Sequence, residues 1–238
     1  MKKIFILALL IAGCEIIPEI PYEPEWNVFI VLRNYGKSIA VLDRTHRMED
    51  DVFNVGKINM EIIMENIFQS ADTFRFEFDS LGEYSLDTIL IRSDGLYWLY
   101  LNSPSLGELH GVMWMPDSFS IVYPPEGCTL TASDSIVIGS IRGIKRFRLI
   151  SFFEGDSSAY TDFISDVVND TLMKLPLYFM TFADTGRYTI EIWGMERNYS
   201  DYLLDFYYYS RSEEGRGIDR GLGVFGGVFI KTLTIYFH

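Results

Sequence analysis

Short apolar runs closed by polar or glycine-bearing turns recur along most of the chain, and their period is that of strands. Residues 26–32 (WNVFIVL) favour a pleated surface, stop at Asn34-Tyr35-Gly36, and resume at 38–42 (SIAVL). The run 43–51 (DRTHRMEDD) reads as a polar loop. In 58–64, Ile58, Met60 and Ile62 alternate with Asn59 and Glu61, a period of two. Phe74, Phe76 and Phe78 alternate with Arg75 and Glu77, and the polar turn 70–73 makes these two runs a hairpin, its phenylalanine stripe facing a core. Asp94-Gly95 signals a turn before the strand 96–101 (LYWLYL); 107–114 continues the pattern until Pro116. After 122–127 (VYPPEG), a stiff linker with two adjacent prolines, strands restart at 135–138, 146–153, 175–182, 187–193 and 228–237. Residues 159–173 carry loosely spaced apolar positions, read as a helix. Residues 200–209 (SDYLLDFYYY) are the stronger helix: Ser200 caps, Asp201 sits in the first turn, and Tyr202, Phe206 and Tyr209 share a face. The same aromatics also suit a strand. Residues 212–227 form a glycine-rich loop.

The expected fold is therefore all-β: two β-sandwiches with a short helix near the C-terminus. The domains span residues 26–121 and 128–238, joined by the linker 122–127. At 238 residues the chain is long enough for two domains of about 100 each.

The first residues set an address. Lys2 and Lys3 precede nine uncharged residues, 4–12 (IFILALLIA), too few to span about 30 Å of hydrocarbon as a helix but right for a secretory leader. Ile11-Ala12-Gly13-Cys14 resembles the lipobox of bacterial lipoproteins. The resemblance implies removal of residues 1–13 and lipidation of Cys14, which becomes the first mature residue and the attachment to the membrane. More than one acyl chain is needed for stable anchoring, and such a cysteine carries several. Residues 14–25, with Pro18, Pro21 and Pro24, form an extended tether that holds the folded part roughly 30 Å from the bilayer.

Composition narrows the function. The formal charge is −13, and loss of the two leader lysines makes it more negative. Such a surface repels phosphate backbones, so no nucleic-acid partner is expected, and anchoring falls to lipid rather than to a basic patch. With Cys14 lipidated, Cys128 is alone, reads as a small buried hydrophobe, and leaves the exported domains to be held by packing.

Several motifs together are similar to a family of uncharacterised lipoproteins common in Bacteroidetes-type bacteria. These are an opening strand pair ending at Asp43-Arg44-Thr45, Gly95-Leu96-Tyr97-Trp98-Leu99, a strand ending at Met115-Pro116, Gly186-Arg187-Tyr188-Thr189-Ile190, and Gly221-Leu222-Gly223-Val224-Phe225-Gly226. The run 216–220 departs from the family pattern. The resemblance implies an immunoglobulin- or carboxypeptidase-regulatory-like domain followed by a fibronectin-III-like one. It also implies an accessory role beside outer-membrane transport systems, with no catalytic residues.

The chemistry agrees with a binding role. Gly221, Gly223 and Gly226 match a dinucleotide fingerprint in spacing, but a β run follows where that motif needs a helix, so no cofactor is expected. The glycines read as a tight loop docking Val224 and Phe225, with Arg216 and Arg220 beside an anion-sized nest as the alternative. His46, His110 and His238 lack paired ligand spacing, and Asp162, Asp166, Asn169 and Asp170 lack the calcium-loop pattern, so no metal is expected. Glu213-Glu214 and Asp201 with Asp205 are the carboxylates a glycosidase would draw on, but sequence fixes no separation between them, and no G-x-S-x-G elbow occurs. Trp26, Trp98, Trp114 and Trp193 read as core. Tyr207, Tyr208 and Tyr209 form the candidate contact patch. The expected function is thus a non-enzymatic lipoprotein of the cell envelope, in the outer membrane, working with an outer-membrane protein partner; the alternative is capture of a glycan or nutrient on exposed aromatic rings.

Overall fold

A computed structural model describes residues 22–45, 58–65, 72–75, 77–80, 83–86, 91–154, 161–168, 171–180, 182, 184–207 and 216–238. Sixteen strands and one α-helix among them form an all-β sandwich architecture built on a single long sheet. That sheet, A, runs in the order β13 (Thr161–Asp166), β12 (Arg146–Phe153), β15 (Gly186–Met195), β16 (Leu222–Phe237), β1 (Trp26–Arg33), β2 (Ser38–Arg44), β6 (Glu83–Leu86), β5 (Glu77–Ser80). The short β10 (Thr129–Leu130) lies beside the end of β16. Sheet B, of β4 (Asp72–Arg75), β3 (Asn59–Glu65), β7 (Leu96–Ser103) and β8 (Gly107–Trp114), covers the β1 end. Sheet C, of β14 (Leu172–Pro176), β11 (Ser135–Gly139) and β9 (Ser120–Tyr123), covers the β15 end.

The two cores follow from strand alternation, because successive side chains point to opposite faces. Trp26, Val28, Ile30 and Leu32 of β1 meet Tyr97, Leu99 and Leu101 of β7 and Leu109 and Met113 of β8. Phe147, Leu149, Ile190 and Ile192 meet Ile136, Ile138 and Leu175 in the second core, where Phe119 packs edge-on against Phe147 at 5.2 Å. The strand β16 serves both cores. Its first half pairs parallel with β1, from Asn27↔Leu222 to Arg33↔Val228, while its second half pairs antiparallel with β15, from Met195↔Val228 to Gly186↔Phe237. Phe225 enters the first core and Leu233 and Ile235 enter the second. Val224, Val228 and Ile230 turn to the other face of sheet A. There α1 (Arg197–Tyr207) lies on them through Tyr199, Tyr202 and Leu203.

The structure revises several sequence expectations. The described part of 159–173 is strand, not helix: β13 and β14 occupy it, with successive side chains alternating, Phe163 into the second core and Ile164 onto the other face of sheet A. The run 73–78 is not one strand. β4 pairs with β3 in sheet B and β5 with β6 in sheet A, so the two halves of the run belong to different sheets. Phe76 lies outside the described residues, as do the side chains of Phe74 and Phe78. The glycine-rich loop ends at Gly221, since β16 begins at Leu222 on the free edge that β1 offers. The helix starts at Arg197 rather than at Ser200. Ser200 is buried in its first turn and accepts a hydrogen bond from Arg146, while the neighbouring Glu196 carboxylate takes the N–H groups that a capping serine would have taken. The last tether residues are strapped down: Tyr22 donates its hydroxyl hydrogen to Thr45 Oγ1 at 2.7 Å, and Thr45 N–H donates to the Glu25 carbonyl at 2.8 Å. β9 pairs with β11, so the proline pair after it already follows a strand of the second sandwich, and Gly127 N–H donates to the Thr234 carbonyl.

Candidate binding face

The inner side of sheet B closes the first core, and its outer side carries exposed side chains. In β7 the inward positions are Tyr97, Leu99, Leu101 and Ser103, which leaves Leu96, Trp98, Tyr100 and Asn102 outside. In β8 the inward positions are Leu109, Gly111 and Met113, which leaves Glu108, His110, Val112 and Trp114 outside. The antiparallel register sets these in rows: Leu96 opposite Trp114, Trp98 opposite Val112, Tyr100 opposite His110. β3 extends two rows, with Ile63 opposite Trp98 and Glu61 opposite Tyr100. Trp114 is 43% exposed, Tyr100 40% and Val112 40%. Trp98 and Ile63 are half-buried.

Hydrogen bonds hold these rings. Trp114 Nε1–H donates to Asp94 Oδ1 at 3.0 Å, from the turn before β7, where Asp94 has a positive φ of 56°. The Tyr100 and His110 rings meet edge-on at 5.4 Å. His110 Nδ1 lies 3.4 Å from Asp219, whose other carboxylate oxygen accepts the His110 N–H at 2.9 Å. Residues 216–219 fasten along β8: Val112 N–H donates to the Gly217 carbonyl and Asp219 N–H to the His110 carbonyl. The rings therefore stand on paired backbone, with little side-chain or loop ordering left to pay on binding.

The residues singled out in sequence fall elsewhere. Cys14, Tyr208, Tyr209, His46, Asn169, Asp170, Glu213 and Glu214 lie outside the described residues, as does the Tyr207 side chain at the end of α1. Arg216 pairs with Asp205 at 3.0 Å, and its backbone brackets Gly223 and Phe225. Arg220 donates to the Leu106 carbonyl at 3.0 Å. Both arginines thus have protein partners, and the positive φ of Gly221 (80°) and Gly223 (106°) serves close strand packing. A Cβ at Gly226 would lie 2.7 Å from the Glu196 carboxylate. Asp162 is held by Arg148 in a two-pronged pair at 2.8 and 2.6 Å, and Arg146 bridges Asp166 and Asp201. Cys128 packs partly against the second core, and burial, followed by Asp134, pushes its thiol above the ordinary range. Trp26 and Trp193 are buried as expected of core, whereas Trp98 and Trp114 face outward. Nothing in LYWLYL distinguishes its two faces, since both phases are apolar. The one available signal was His110 beside Trp114 on the polar phase of β8.

The opposite face of sheet A carries a second constellation, and it is structural. The Arg33 guanidinium lies 4.6 Å and that of Arg148 5.3 Å from the centre of the Trp193 ring, whose Nε1–H donates to Glu191. Burial holds Arg33 below its ordinary value, with Tyr199 and Glu191 opposing. Trp193 packs with Met195 and Tyr199 under α1.

No family model matches the chain, and no curated protein matches it. Among solved structures, it is similar at a TM-score of 0.26 and 11% identity to the crystal structure of chicken CNTN1 FN1-FN3 domains, covering 91% of this chain and 67% of that one. The tetra-tandem repeat in the extending region of a large adhesion protein matches at the same TM-score and 9% identity over 90% of this chain. The chain spans about half of that structure, 49%. The all-β sandwich architecture stands on the strand pairing and the two cores.

Proposed function

We propose that this protein is a lipid-anchored, non-enzymatic binding module of the bacterial cell envelope. In this reading the outer face of sheet B receives the ligand and Cys14 carries the anchor. The observation that supports it most is the exposure of Tyr100, Trp114 and Val112 on one rigid sheet, with the half-buried Trp98 between them. A lone exposed apolar residue is ordinary, but a contiguous aromatic stripe rimmed by carboxylates marks an interaction surface. Two aromatic residues in register on paired strands present large areas of fixed geometry, which lowers the ordering cost of binding. The lipobox-like Ile11-Ala12-Gly13-Cys14 and the three tether prolines support a place in the envelope, in the outer membrane beside a membrane protein partner, as in the lipoproteins the chain resembles.

The anchor is tested by fractionation of cells making the full chain. The native protein is expected in the membrane pellet, with the mass of a chain starting at an acylated Cys14. Cys14→Ser is expected to release it to the soluble fraction or to leave the leader uncut. A native protein found in the soluble fraction with an unmodified thiol would sink the anchoring part of this reading.

A further inference from the structure

We propose that the outer face of sheet B takes a neutral, hydroxyl-rich glycan chain, stacked on the exposed rings of Trp114 and Tyr100. This rests on the binding face assigned above and names its ligand class. Three observations carry it. The two exposed rings lie on one antiparallel pair, Trp114 opposite Leu96 and Tyr100 two rows on, with the half-buried Trp98 in the row between. Rows on one face repeat about every 6.8 Å along a strand, so the rings form a track rather than a single pocket. An extended chain of rings matches a track.

The polar groups around the track are mainly acceptors. Asp94 stands beside the Trp114 indole nitrogen, Asp219 beside His110, and Glu108 on the neighbouring position of β8. Ionised carboxylates accept hydrogen bonds and donate none. Sugar hydroxyls supply the donors, and the C–H faces of a pyranose cover aromatic rings as other apolar surface does. Charge selects further. The face adds carboxylates to a chain of formal charge −13, so phosphates, sulfates and uronates meet repulsion, whereas a neutral sugar does not. The occupant is thus an uncharged polysaccharide.

The test is native gel electrophoresis of the full chain in gels loaded with neutral polysaccharides (α-glucan, β-glucan, mannan, xylan) or with sulfated and uronate polymers. Retardation by at least one neutral polymer and by none of the anionic ones is expected. Trp114→Ala and Tyr100→Ala are each expected to weaken that retardation about tenfold, a loss of about 1.4 kcal/mol per ring. Tyr178→Ala, on the other sandwich, is expected to leave it unchanged. Circular dichroism of each variant establishes that the fold is retained. No retardation by any neutral polymer, or retardation that survives the double variant Trp114→Ala/Tyr100→Ala, overturns the proposal. In the first case, labelling of Trp98, Tyr100 and Trp114 in intact envelopes separates the two readings. Shielded rings mean that another ligand occupies the face and only the glycan class falls. Freely labelled rings mean that the binding face falls with it.

Discussion

Replacing Gly223 by alanine is expected to destabilise the N-terminal sandwich by about 4 kcal/mol or more, in the range reserved for gross steric failure. Gly223 sits opposite Val28 in the parallel pair of β1 and β16, with φ at 106°. An added Cβ would be driven into the carbonyl of Val28, well inside van der Waals distance, with the Val28 carbonyl carbon 2.8 Å and its nitrogen 3.0 Å away. The neighbours in the way are backbone, which cannot swing aside as a flexible side chain would. Moving β16 away to make room would break the pairing that places Phe225 in the first core and lift Val224 from beneath α1. Gly36→Ala is the control: its φ is 74°, but nothing lies within 4 Å of the added Cβ. It is expected to cost about 1 to 2 kcal/mol, the ordinary charge for a left-handed alanine. Urea unfolding followed by tryptophan fluorescence measures both. Equal midpoints for the two variants would show that the β1–β16 approach is not as tight as described.

The second large effect is at Glu196, between β15 and α1. Glu196 is 5% exposed, and its carboxylate accepts N–H groups from Asn198 at 2.6 Å, Tyr199 at 2.7 Å and Gly227 at 3.3 Å. Glu196 therefore caps the helix and ties it to β16 at the point where that strand passes from one sandwich to the other. Glu196→Ala leaves buried N–H groups without partners, each costing about 1 to 3 kcal/mol. Burial pushes the Glu196 pKa up to about 7, and the three N–H groups pull it back only in part. A carboxyl raised in the fold from the ordinary 4.5 favours folding most when protonated. That contribution is complete below pH 4.5, declines as pH rises, and is lost above about pH 7, a change of about 3 kcal/mol. The native protein is accordingly expected to lose stability between pH 5 and pH 8 relative to Glu196→Ala, so the gap between them narrows. Thermal unfolding of both across that range reads the difference. Parallel pH profiles would mean that Glu196 is ionised throughout, held by its N–H donors.

These two sites also show what the sequence could and could not disclose. The strand runs at 26–32, 38–42, 107–114 and 187–193 were legible because alternation and turn residues act locally. The destination of β16 was not legible. GLGVFG looks like a loop because its glycines lower strand propensity, yet their missing side chains are what allow β1 and α1 to approach. The start of α1 was misplaced for a related reason. Glu196 is an unusual cap, and its selection depends on Gly227, distant in sequence. The exposed face was hidden by LYWLYL, where only the partner layer decides which apolar phase is buried. Trp98 and Trp114 were expected in the core, and the pairing of β7 with β8 turned them out.

The proposed function requires the outer face of sheet B to be covered in use. Hydroxyl-radical footprinting tests this directly, by comparing the full chain in intact cell envelopes with the purified, detergent-solubilised protein. The predicted result is protection of Trp98, Tyr100 and Trp114 in the envelope, with Tyr35, Tyr178 and Phe179, all exposed elsewhere on the molecule, labelled alike in both states. Equal labelling of Trp114 and Tyr100 in the two states, with protection appearing instead at Tyr178 and Phe179, would contradict it.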